Sequence, residues 1–346
     1  MTDYRSNIEL AEVAAMIRRG GDGVLITTHA KPDGDAFGSV LALTVALHKA
    51  GQRATACLMP PVPAYLMQLR GAELVRVHQD GDTLVEPGLV VVLDTGAWAQ
   101  LAPIRPQLEG WTDRTLIIDH HLNGDVPARW HYIDAQGAAC CEIVAQLLDE
   151  MKLPFDPIVC EALYVGIASD TGWFRFSNTR PQTHELAARL LRQGVDHAEL
   201  YRKIEQAERP EKLALLIRAL DSLQLLADGR VAVMTLRAAD FVETGAVDEE
   251  TERFVDVPQA VTSVQMVVLI TESPSATDGS GRADRPIRLS FRSKPGPGAI
   301  NVARLAQRFG GGGHARAAGA KVDAPLEDVI LQITEVLTAA VVEAQT

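Results

Sequence analysis

The chain has 346 residues, of which 33 are Lys or Arg and 45 are Asp or Glu, so its formal net charge at pH 7 is −12. This length predicts about two domains, each large enough to bury its own core. The excess of acidic residues argues against extended, sequence-independent binding to nucleic acid, because such binding depends on many Lys and Arg side chains that contact phosphates. The negative net charge is compatible with a short phosphorylated ligand, if bound cations and a few arginines neutralise the charge of that ligand.

Several features of the sequence bear on its compartment. No apolar run approaches the ~20 residues that a membrane-spanning helix needs, and the polar start lacks the pattern of a signal peptide. We therefore expect a cytoplasmic protein without membrane contact. The four cysteines show no Cys-x-x-Cys spacing, and the adjacent pair Cys140 and Cys141 is a poor disulfide, so we expect reduced and mostly buried thiols.

The first half of the chain alternates strand-like and helix-like segments. Residues 6–19 have the spacing of an amphipathic helix, Val24 to Ile26 is typical of a buried strand, and Phe37 to Leu47 predicts a helix that is closed by Gly51. Further strands are predicted at 54–58, 89–94 and 115–119, with a short helical segment between the last two, and helices at about 140–151, 157–169 and 181–193. This alternation predicts a mostly parallel sheet that is covered on both faces.

The second half predicts a smaller domain, so the fold class is α/β throughout. A charged, helical stretch predicts a connector helix over residues 199–227, between a first domain at 1–198 and a second at 228–346. Strands are predicted at 230–236, 261–271 and 286–293, and helices at about 299–309 and 326–344. Residues 272–286 are rich in Ser, Gly, Pro and Asp, which predicts a mobile loop.

Acidic residues and histidines follow the ends of four apolar segments in the first half. They are His29, Asp33, Asp35, Asp94, Asp119, His120, His121 and Asp170. Ligands of an open α/β sheet bind beyond the carboxyl ends of its strands, so we expect these side chains to converge. A turn with a helix N-cap would explain a lone Asp-Gly-Asp equally well, but four such segments at one sheet edge predict a pocket.

A pocket with so many carboxylates requires cations, because two unit charges ~4 Å apart repel by about 4 kcal/mol at an effective dielectric near 20. Oxygen ligands mixed with imidazole favour manganese or magnesium over a structural zinc site, which prefers thiolates. The donors exceed the needs of one ion. Two ions ~3.5 to 4 Å apart would clamp a phosphate and activate a water for hydrolysis.

The segments resemble the motifs of a known family. His29-x-x-x-Asp33-x-Asp35, Asp94-Thr-Gly, Asp119-His120-His121 and Asp170-Thr-Gly resemble the four motifs of the DHH phosphoesterases. Gly310-Gly-Gly-Gly-His314-Ala-Arg-Ala-Ala-Gly319, preceded by Arg292-Ser-Lys294, resembles the DHH-associated C-terminal domain. Motif order and length are most similar to the nanoRNase branch, the oligoribonuclease and 3′-phosphoadenosine 5′-phosphate phosphatase proteins.

The resemblance implies two manganese ions, with magnesium as the alternative. His29 and Asp33 would hold one ion, while Asp35, His120 and Asp170 would hold the other, and Asp94 would bridge both. Asp119 would orient a ligand histidine, as metal-bound imidazoles usually require. His121 would lie near the substrate phosphate, although a packed histidine is an open alternative. The implied catalytic residues are Asp94, Asp119, His120 and His121.

The resemblance also implies where the substrate binds. The implied substrate-binding residues are His121, Arg292, Ser293, Lys294, Gly311, Gly312, Gly313, His314 and Arg316. Backbone amides and His314 would meet the nucleotide, and Arg292 would grip a phosphate with two hydrogen bonds. Taken alone, the glycine run reads equally well as a flexible turn, and it lacks the Lys-Ser/Thr ending of a P-loop. The aromatic residues of 173–176 are expected in the core and pocket wall, with base stacking left open.

The implied function is manganese-dependent hydrolysis of short single-stranded RNA (nanoRNA) to mononucleotides. Removal of the 3′-phosphate from 3′-phosphoadenosine 5′-phosphate (pAp), a nucleotide bisphosphate, is a second implied activity. The alternatives are a linear or cyclic dinucleotide phosphodiesterase, a single-strand exonuclease of RecJ type, and a catalytically inactive regulator, which would lack a ligand. A homodimer is left open, and so is the effect of the loop at 273–285 on oligonucleotide length.

Overall fold

The computed structural model describes residues 4–20, 23–79, 81–273, 276–277, 283–284, 286–296 and 299–343. The chain divides into two compact units, Met1–Ala207 and Glu208–Thr346, here called unit 1 and unit 2. Each unit has its own sheet with hydrophobic clusters packed against it. In the described part of the chain, no helix combines the length and the apolar character needed to cross a membrane.

Unit 1 is built on a six-stranded sheet in which every pairing is parallel, as the sequence predicts. Its strands are β1 Val24–Thr27, β2 Ala54–Leu58, β3 Val75–Val77, β4 Leu89–Leu93, β5 Thr115–Asp119 and β6 Trp130–Ile133. The spatial order is β3-β2-β1-β4-β5-β6. The order reverses between β1 and β4, so a ligand crevice is expected beyond the carboxyl ends of these two strands.

The helices of unit 1 are α1 Leu10–Arg19, α2 Gly34–Lys49, α3 Arg105–Leu108, α4 Cys140–Glu150, α5 Pro157–Asp170, α6 Pro181–Arg192 and α7 His197–Glu205. α2 is buried from Gly34 to Leu47, and it packs closely against α5. A Cβ atom at Gly38 would lie 2.3 Å from the carbonyl oxygen of Ala162, and one at Gly166 would lie 2.1 Å from the Cys141 sulfur. α5 therefore approaches both α2 and α4 at distances that only glycine permits.

Two features of unit 1 differ from the sequence prediction, and one agrees with it. β3 and β6 were missed, because strands this short show too little periodicity to be recognised. The first helix begins at Leu10, since residues 6 and 7 instead hydrogen-bond to β6. All four cysteines are buried and free, as expected.

Unit 2 has a mixed six-stranded sheet in the order β13-β14-β12-β9-β8-β7. Its strands are β7 Gln224–Leu226, β8 Val231–Leu236, β9 Met266–Glu272, β12 Ile287–Ser293, β13 Gly312–His314 and β14 Ala317–Val322. A separate ribbon pairs β10 Ala276–Thr277 with β11 Ala283–Asp284. The helices are α8 Pro210–Asp221, α9 Ala238–Thr244, α10 Val302–Gln307 and α11 Leu326–Glu343.

Two predictions in the second half need correction. The connector expected over 199–227 is not one helix: it contains the end of α7, then α8 and β7, and Pro210 opens α8 after a break. The loop expected at 272–286 includes the end of β9 and the β10–β11 ribbon. Residues 274–275, 278–282 and 285 of that loop lie outside the described residues.

Candidate active site

The segment from the end of β1 to the first turn of α2 carries three of the predicted ligands, His29, Asp33 and Asp35. Asp33 is the N-cap of α2, and its Oδ1 accepts hydrogen bonds from the backbone nitrogens of Asp35 and Ala36, both at 3.0 Å. Asp35 is completely buried, and its two oxygens accept from the backbone nitrogens of Cys140 at 2.5 Å and Cys141 at 2.9 Å. The interpretation of Asp33 as a helix cap is thus correct. The bonds from Cys140 and Cys141 hold Asp35 against the start of α4.

Asp94 follows β4 and faces two histidines with its two oxygens. Its Oδ2 lies 3.6 Å from Nε2 of His29, and its Oδ1 lies 3.2 Å from Nε2 of His120. The backbone of Asp94 has φ +63°, a left-handed conformation that is uncommon for a residue other than glycine and that clusters at functional sites. Nε2 of His120 is also 3.3 Å from Oδ2 of Asp170 and 4.0 Å from Oδ2 of Asp35.

The predicted metal ligands fall into two groups, in each of which the possible ligand atoms lie within 4.8 Å of one another. These groups are His29, Asp33 and Asp94, and Asp35, His120 and Asp170. A further group joins Asp94, Asp119, His120 and His121. The structure therefore brings all the predicted ligands together in unit 1, in the grouping that the resemblance implies. Their metal-binding role stays a prediction.

The electrostatics of this cluster reflect crowded carboxylates. Burial and the charge of Asp94 raise the pKa of Asp35 to about 7, and burial and the charge of Asp35 raise the pKa of Asp170 to about 8. Burial lowers the pKa of His29 and His120, but their contacts with Asp94 outweigh it, so these pKa values rise to about 9 and about 10. A cation would replace these protons and relieve the repulsion between the carboxylates.

The donor atoms fit a divalent cation. Oδ1 of Asp94 and Nε2 of His120 are buried and lie 3.2 Å apart, but this contact is not a hydrogen bond, and among the described residues neither atom has another hydrogen-bond partner. Buried polar atoms in proteins are rarely unpartnered. Nδ1 of His120 lies 3.2 Å from the carbonyl oxygen of Gly137, and donation there leaves a lone pair on Nε2. An oxygen and an imidazole nitrogen facing one space suit Mn²⁺ or Mg²⁺.

Asp119 has a supporting role in the site, because both of its oxygens already accept hydrogen bonds. Its Oδ1 accepts from the backbone nitrogens of His120 and His121 at 2.8 and 3.1 Å, and from Nδ1 of His121 at 2.7 Å. Its Oδ2 accepts from the hydroxyl of Tyr4 at 2.5 Å. Sequence reasoning missed Tyr4, since it precedes the first predicted element and belongs to no motif.

In unit 2, Arg292 and His314 lie on one face of the sheet. Both pair with Ala317 of β14, Arg292 from β12 and His314 from β13, and directly opposed residues share a face. His314 is exposed, and the Arg292 side chain is 42% exposed, with its Nε 3.9 Å from Oδ1 of Asp256. Lys294 donates to the carbonyl oxygen of Val261 at 2.7 Å.

Ser293 and Arg316 share one hydrogen-bond acceptor in unit 2. The buried Ser293 hydroxyl donates to the carbonyl oxygen of Ile300 at 2.7 Å, and the Arg316 guanidinium donates to the same oxygen at 3.0 Å. The Ser293 hydroxyl thus helps to hold this segment in place, and a substrate contact of Ser293 stays a prediction.

The glycine run forms a strand, where the sequence alone suggested a flexible turn. Gly312 to His314 pair with β14, and Gly311 sits so close to it that a Cβ atom would lie 2.1 Å from the carbonyl oxygen of Gly319. Gly313 has φ +138°, which favours glycine. A Cβ atom at Gly312, in contrast, would meet no atom within 4 Å.

The aromatic residues after Asp170 lie mainly in the core, as expected. Trp173 and Phe174 pack against Tyr164, with ring centroids 6.4 and 5.9 Å away, and the Trp173 indole donates to Glu205 at 2.8 Å. Phe176 differs, because it is 55% exposed. A stacking role therefore stays open for Phe176 only.

Comparisons with known proteins agree with this division into two units. Residues 23–167 match the DHH family, N-terminal domain, and residues 228–343 match the DHHA1 domain. A Thermus thermophilus protein named bifunctional oligoribonuclease and PAP phosphatase NrnA is 29% identical over 334 residues, which cover 95% of this chain and 94% of that protein.

Solved structures show the same fold. An exopolyphosphatase-related protein from Bacteroides fragilis has a TM-score of 0.85 at 22% identity, and the match covers 97% of both chains. RecJ in complex with Mn²⁺ from Thermus thermophilus has a TM-score of 0.55 at 16% identity, and the match covers 96% of this chain and 55% of that one. The chain belongs to the DHH family, and its DHH domain is followed by a DHHA1 domain.

Proposed function

We propose that this chain is a phosphoester hydrolase that uses divalent cations to cleave short single-stranded oligoribonucleotides to mononucleotides. We propose removal of the 3′-phosphate of pAp as its second activity. The observation that carries the proposal is the meeting of two donor groups at Asp94, whose two oxygens each face one of them. The name of the Thermus relative supports this pair of substrates.

Six residues would hold the cations in this proposal. His29 and Asp33 serve one ion, Asp35, His120 and Asp170 serve the other, and Asp94 is the shared ligand. Mn²⁺ is the first choice and Mg²⁺ the alternative, because the donors are carboxylate oxygens and imidazole nitrogens. When bound, such a pair supplies the positive charge that phosphate oxygens and an attacking water require.

His121 would act on the substrate phosphate. Its hydrogen bond to Asp119 raises the pKa of His121, so the imidazole holds a second proton more readily on Nε2. Half of this side chain is exposed, which leaves Nε2 accessible to a ligand. A protonated imidazole there would donate to a phosphate oxygen or to the leaving oxygen.

Unit 2 would bind the nucleotide through the face that carries Arg292 and His314. A guanidinium can offer two parallel hydrogen bonds to a phosphate. The guanidinium of Arg292 is partly exposed, and its contacts are long: one to the carbonyl oxygen of Phe291 at 3.4 Å and one to Asp256 at 3.9 Å. The exposed imidazole of His314 shares this face across β14. The acidic chain as a whole favours a short ligand that such a local contact can hold.

The test uses the purified full chain with RNAs of two to ten nucleotides, pAp and a cyclic dinucleotide, each with Mn²⁺, with Mg²⁺ and with chelator. We expect mononucleotide products, rates that fall with increasing RNA length, phosphate release from pAp, and no turnover with chelator. Binding without any product would indicate a regulator. Faster cleavage of the longest RNAs, or of the cyclic dinucleotide, would favour the RecJ-type or the cyclic phosphodiesterase alternative.

A further inference from the structure

The segment that precedes α1 is fastened to the edge of the parallel sheet. The Ser6 hydroxyl accepts from the backbone nitrogen of Ile133 at 2.8 Å, and the Asn7 side chain accepts from the backbone nitrogen of His131 at 2.8 Å. The backbone nitrogen of Asn7 donates to the carbonyl oxygen of His131 at 2.9 Å. These bonds hold residues 6 and 7 against β6 and so fix the path of Tyr4 just before them.

The Tyr4 ring packs against two glycines, Gly96 and Gly124, and the space that they leave for it is here called its seat. A Cβ atom at Gly124 would lie 2.2 Å from a ring carbon of Tyr4, and one at Gly96 would lie 2.2 Å from its hydroxyl oxygen, so neither position tolerates a side chain while Tyr4 is in place. The ring also meets His131 edge-on, with centroids 5.8 Å apart. Gly96 belongs to the Asp94-Thr-Gly motif, and Gly124 follows Asp119-His120-His121. The seat therefore lies between two motifs of the site.

From this seat the Tyr4 hydroxyl reaches Oδ2 of Asp119 at 2.5 Å. The other oxygen of Asp119 holds Nδ1 of His121 at 2.7 Å. The His121 side chain is half exposed, so packing alone does not fix its ring. Its ring is oriented by Asp119. Oδ1 of that carboxylate also accepts from the backbone nitrogens of His120 and His121, and the bond from Tyr4 holds the opposite oxygen, Oδ2.

We propose that Tyr4 is a positioning residue of this site: its hydroxyl fixes the Asp119 carboxylate and, through it, the direction in which His121 presents Nε2. The consequence for catalysis rests on the proposed function, whereas the effect on His121 does not. A bond to a residue that orients a functional histidine typically affects activity by about 10- to 100-fold.

The first test is Tyr4→Phe, which removes the hydroxyl and keeps the ring in its seat. With pAp and a dinucleotide, we expect kcat to fall about tenfold while KM and metal content change less than about twofold. Tyr132→Phe, a hydroxyl deletion on β6, is the matched control and should retain full kcat. Gly124→Ala should reproduce the loss, because its Cβ displaces the Tyr4 ring without removing the hydroxyl.

The second measurement follows His121 directly, by NMR of ¹⁵N-histidine-labelled protein with Mg²⁺, its signal assigned with a His121→Asn variant. We expect the hydrogen-bonded Nδ1–H signal of His121 in the wild type and its loss or a clear shift in Tyr4→Phe. An unchanged signal together with unchanged kcat would overturn the proposal, and so would an equal loss of kcat in Tyr132→Phe. If the wild type hydrolysed no phosphoester, the proposed function would fail while the NMR comparison would still decide the role of Tyr4.

Discussion

Single residues carry the chemistry of this protein, and Asp94 has the most demanding position. It is almost completely buried, its backbone is left-handed, and its two oxygens face His29 and His120. Burial works to raise the pKa of Asp94, but its contacts with the two histidines outweigh burial and lower it. Asp94 therefore stays charged more readily than Asp35 or Asp170, which suits the bridging role proposed for it.

Replacing Asp94 by Asn should abolish turnover of both substrates, to below about a tenth of the wild-type rate, because the shared ligand is lost. Metal content, measured by elemental analysis, should fall in parallel. Asp113→Asn changes an exposed aspartate of the same unit and should alter neither quantity. Retention of more than about a tenth of the activity would count heavily against a bridging role.

The predicted ligands could be found from the sequence, because each follows an apolar segment and strands of a parallel sheet end at one edge. Tyr4 could not be found, since its partner Asp119 is distant in the chain and only the fold brings the two together. The hydrogen bond of Ser293 could not be found for a similar reason, because the carbonyl oxygen of Ile300 that accepts it carries no sequence signal.

Among the elements, β13 is a strand whose sequence hides its nature. A run of glycines has low strand propensity, so the sequence alone is equally compatible with a flexible turn. The structure shows that the glycines serve close packing, because Gly311 leaves no room for a side chain beside Gly319. The long buried helices were easier to predict, since their apolar residues and end signals all agree.

Gly311→Ala should therefore destabilise unit 2 by about 1 to 3 kcal/mol, because the added Cβ forces β14 to shift. Chemical denaturation of the full chain, followed by circular dichroism, measures the loss. Gly312→Ala is the matched control from the same run, where a Cβ meets no atom within 4 Å and stability should hold. Equal losses in both variants would contradict the close packing at Gly311.

The face formed by β12, β14 and β13 leads to a prediction about substrate capture. His314→Ala should raise KM for pAp roughly tenfold and leave metal content unchanged, because the imidazole lies in unit 2 and belongs to none of the donor groups. His48→Ala, a substitution of a histidine outside the donor groups, is the control. Loss of metal from His314→Ala would show that the glycine-rich strand does not belong to the substrate side.

At the scale of the whole molecule, the two units have different roles in the proposed reaction. The donor groups all lie in unit 1, while the exposed Arg292 and His314 lie in unit 2. The all-parallel sheet gathers ligands from β1, β4, β5 and α5 at one edge. The mixed sheet of unit 2 presents a strand face to solvent instead.

Addition of Mn²⁺ should accordingly protect unit 1 and leave unit 2 unaffected. Hydrogen exchange followed by mass spectrometry should show slower exchange in peptides around residues 29–35, 94, 119–121 and 170, because a cation stabilises the state that binds it. Peptides from 311–319 should exchange at an unchanged rate. Asp94→Asn should lose most of the protection, and protection spread evenly over both units would contradict this assignment.

The contact of Gly38 with the backbone of α5 has a consequence for how this protein can change. Asp35 and Asp170 are carried by α2 and α5, so the spacing of these helices sets the separation of two donors. A single methyl group at Gly38 would press on the carbonyl oxygen of Ala162 and so push α2 away from α5, although its nearest neighbours include neither aspartate. One at Gly166 would in addition lie 2.8 Å from Oδ1 of Asp35 itself. Substitution of Gly38 should therefore disturb the donors from a position that contributes no donor atom.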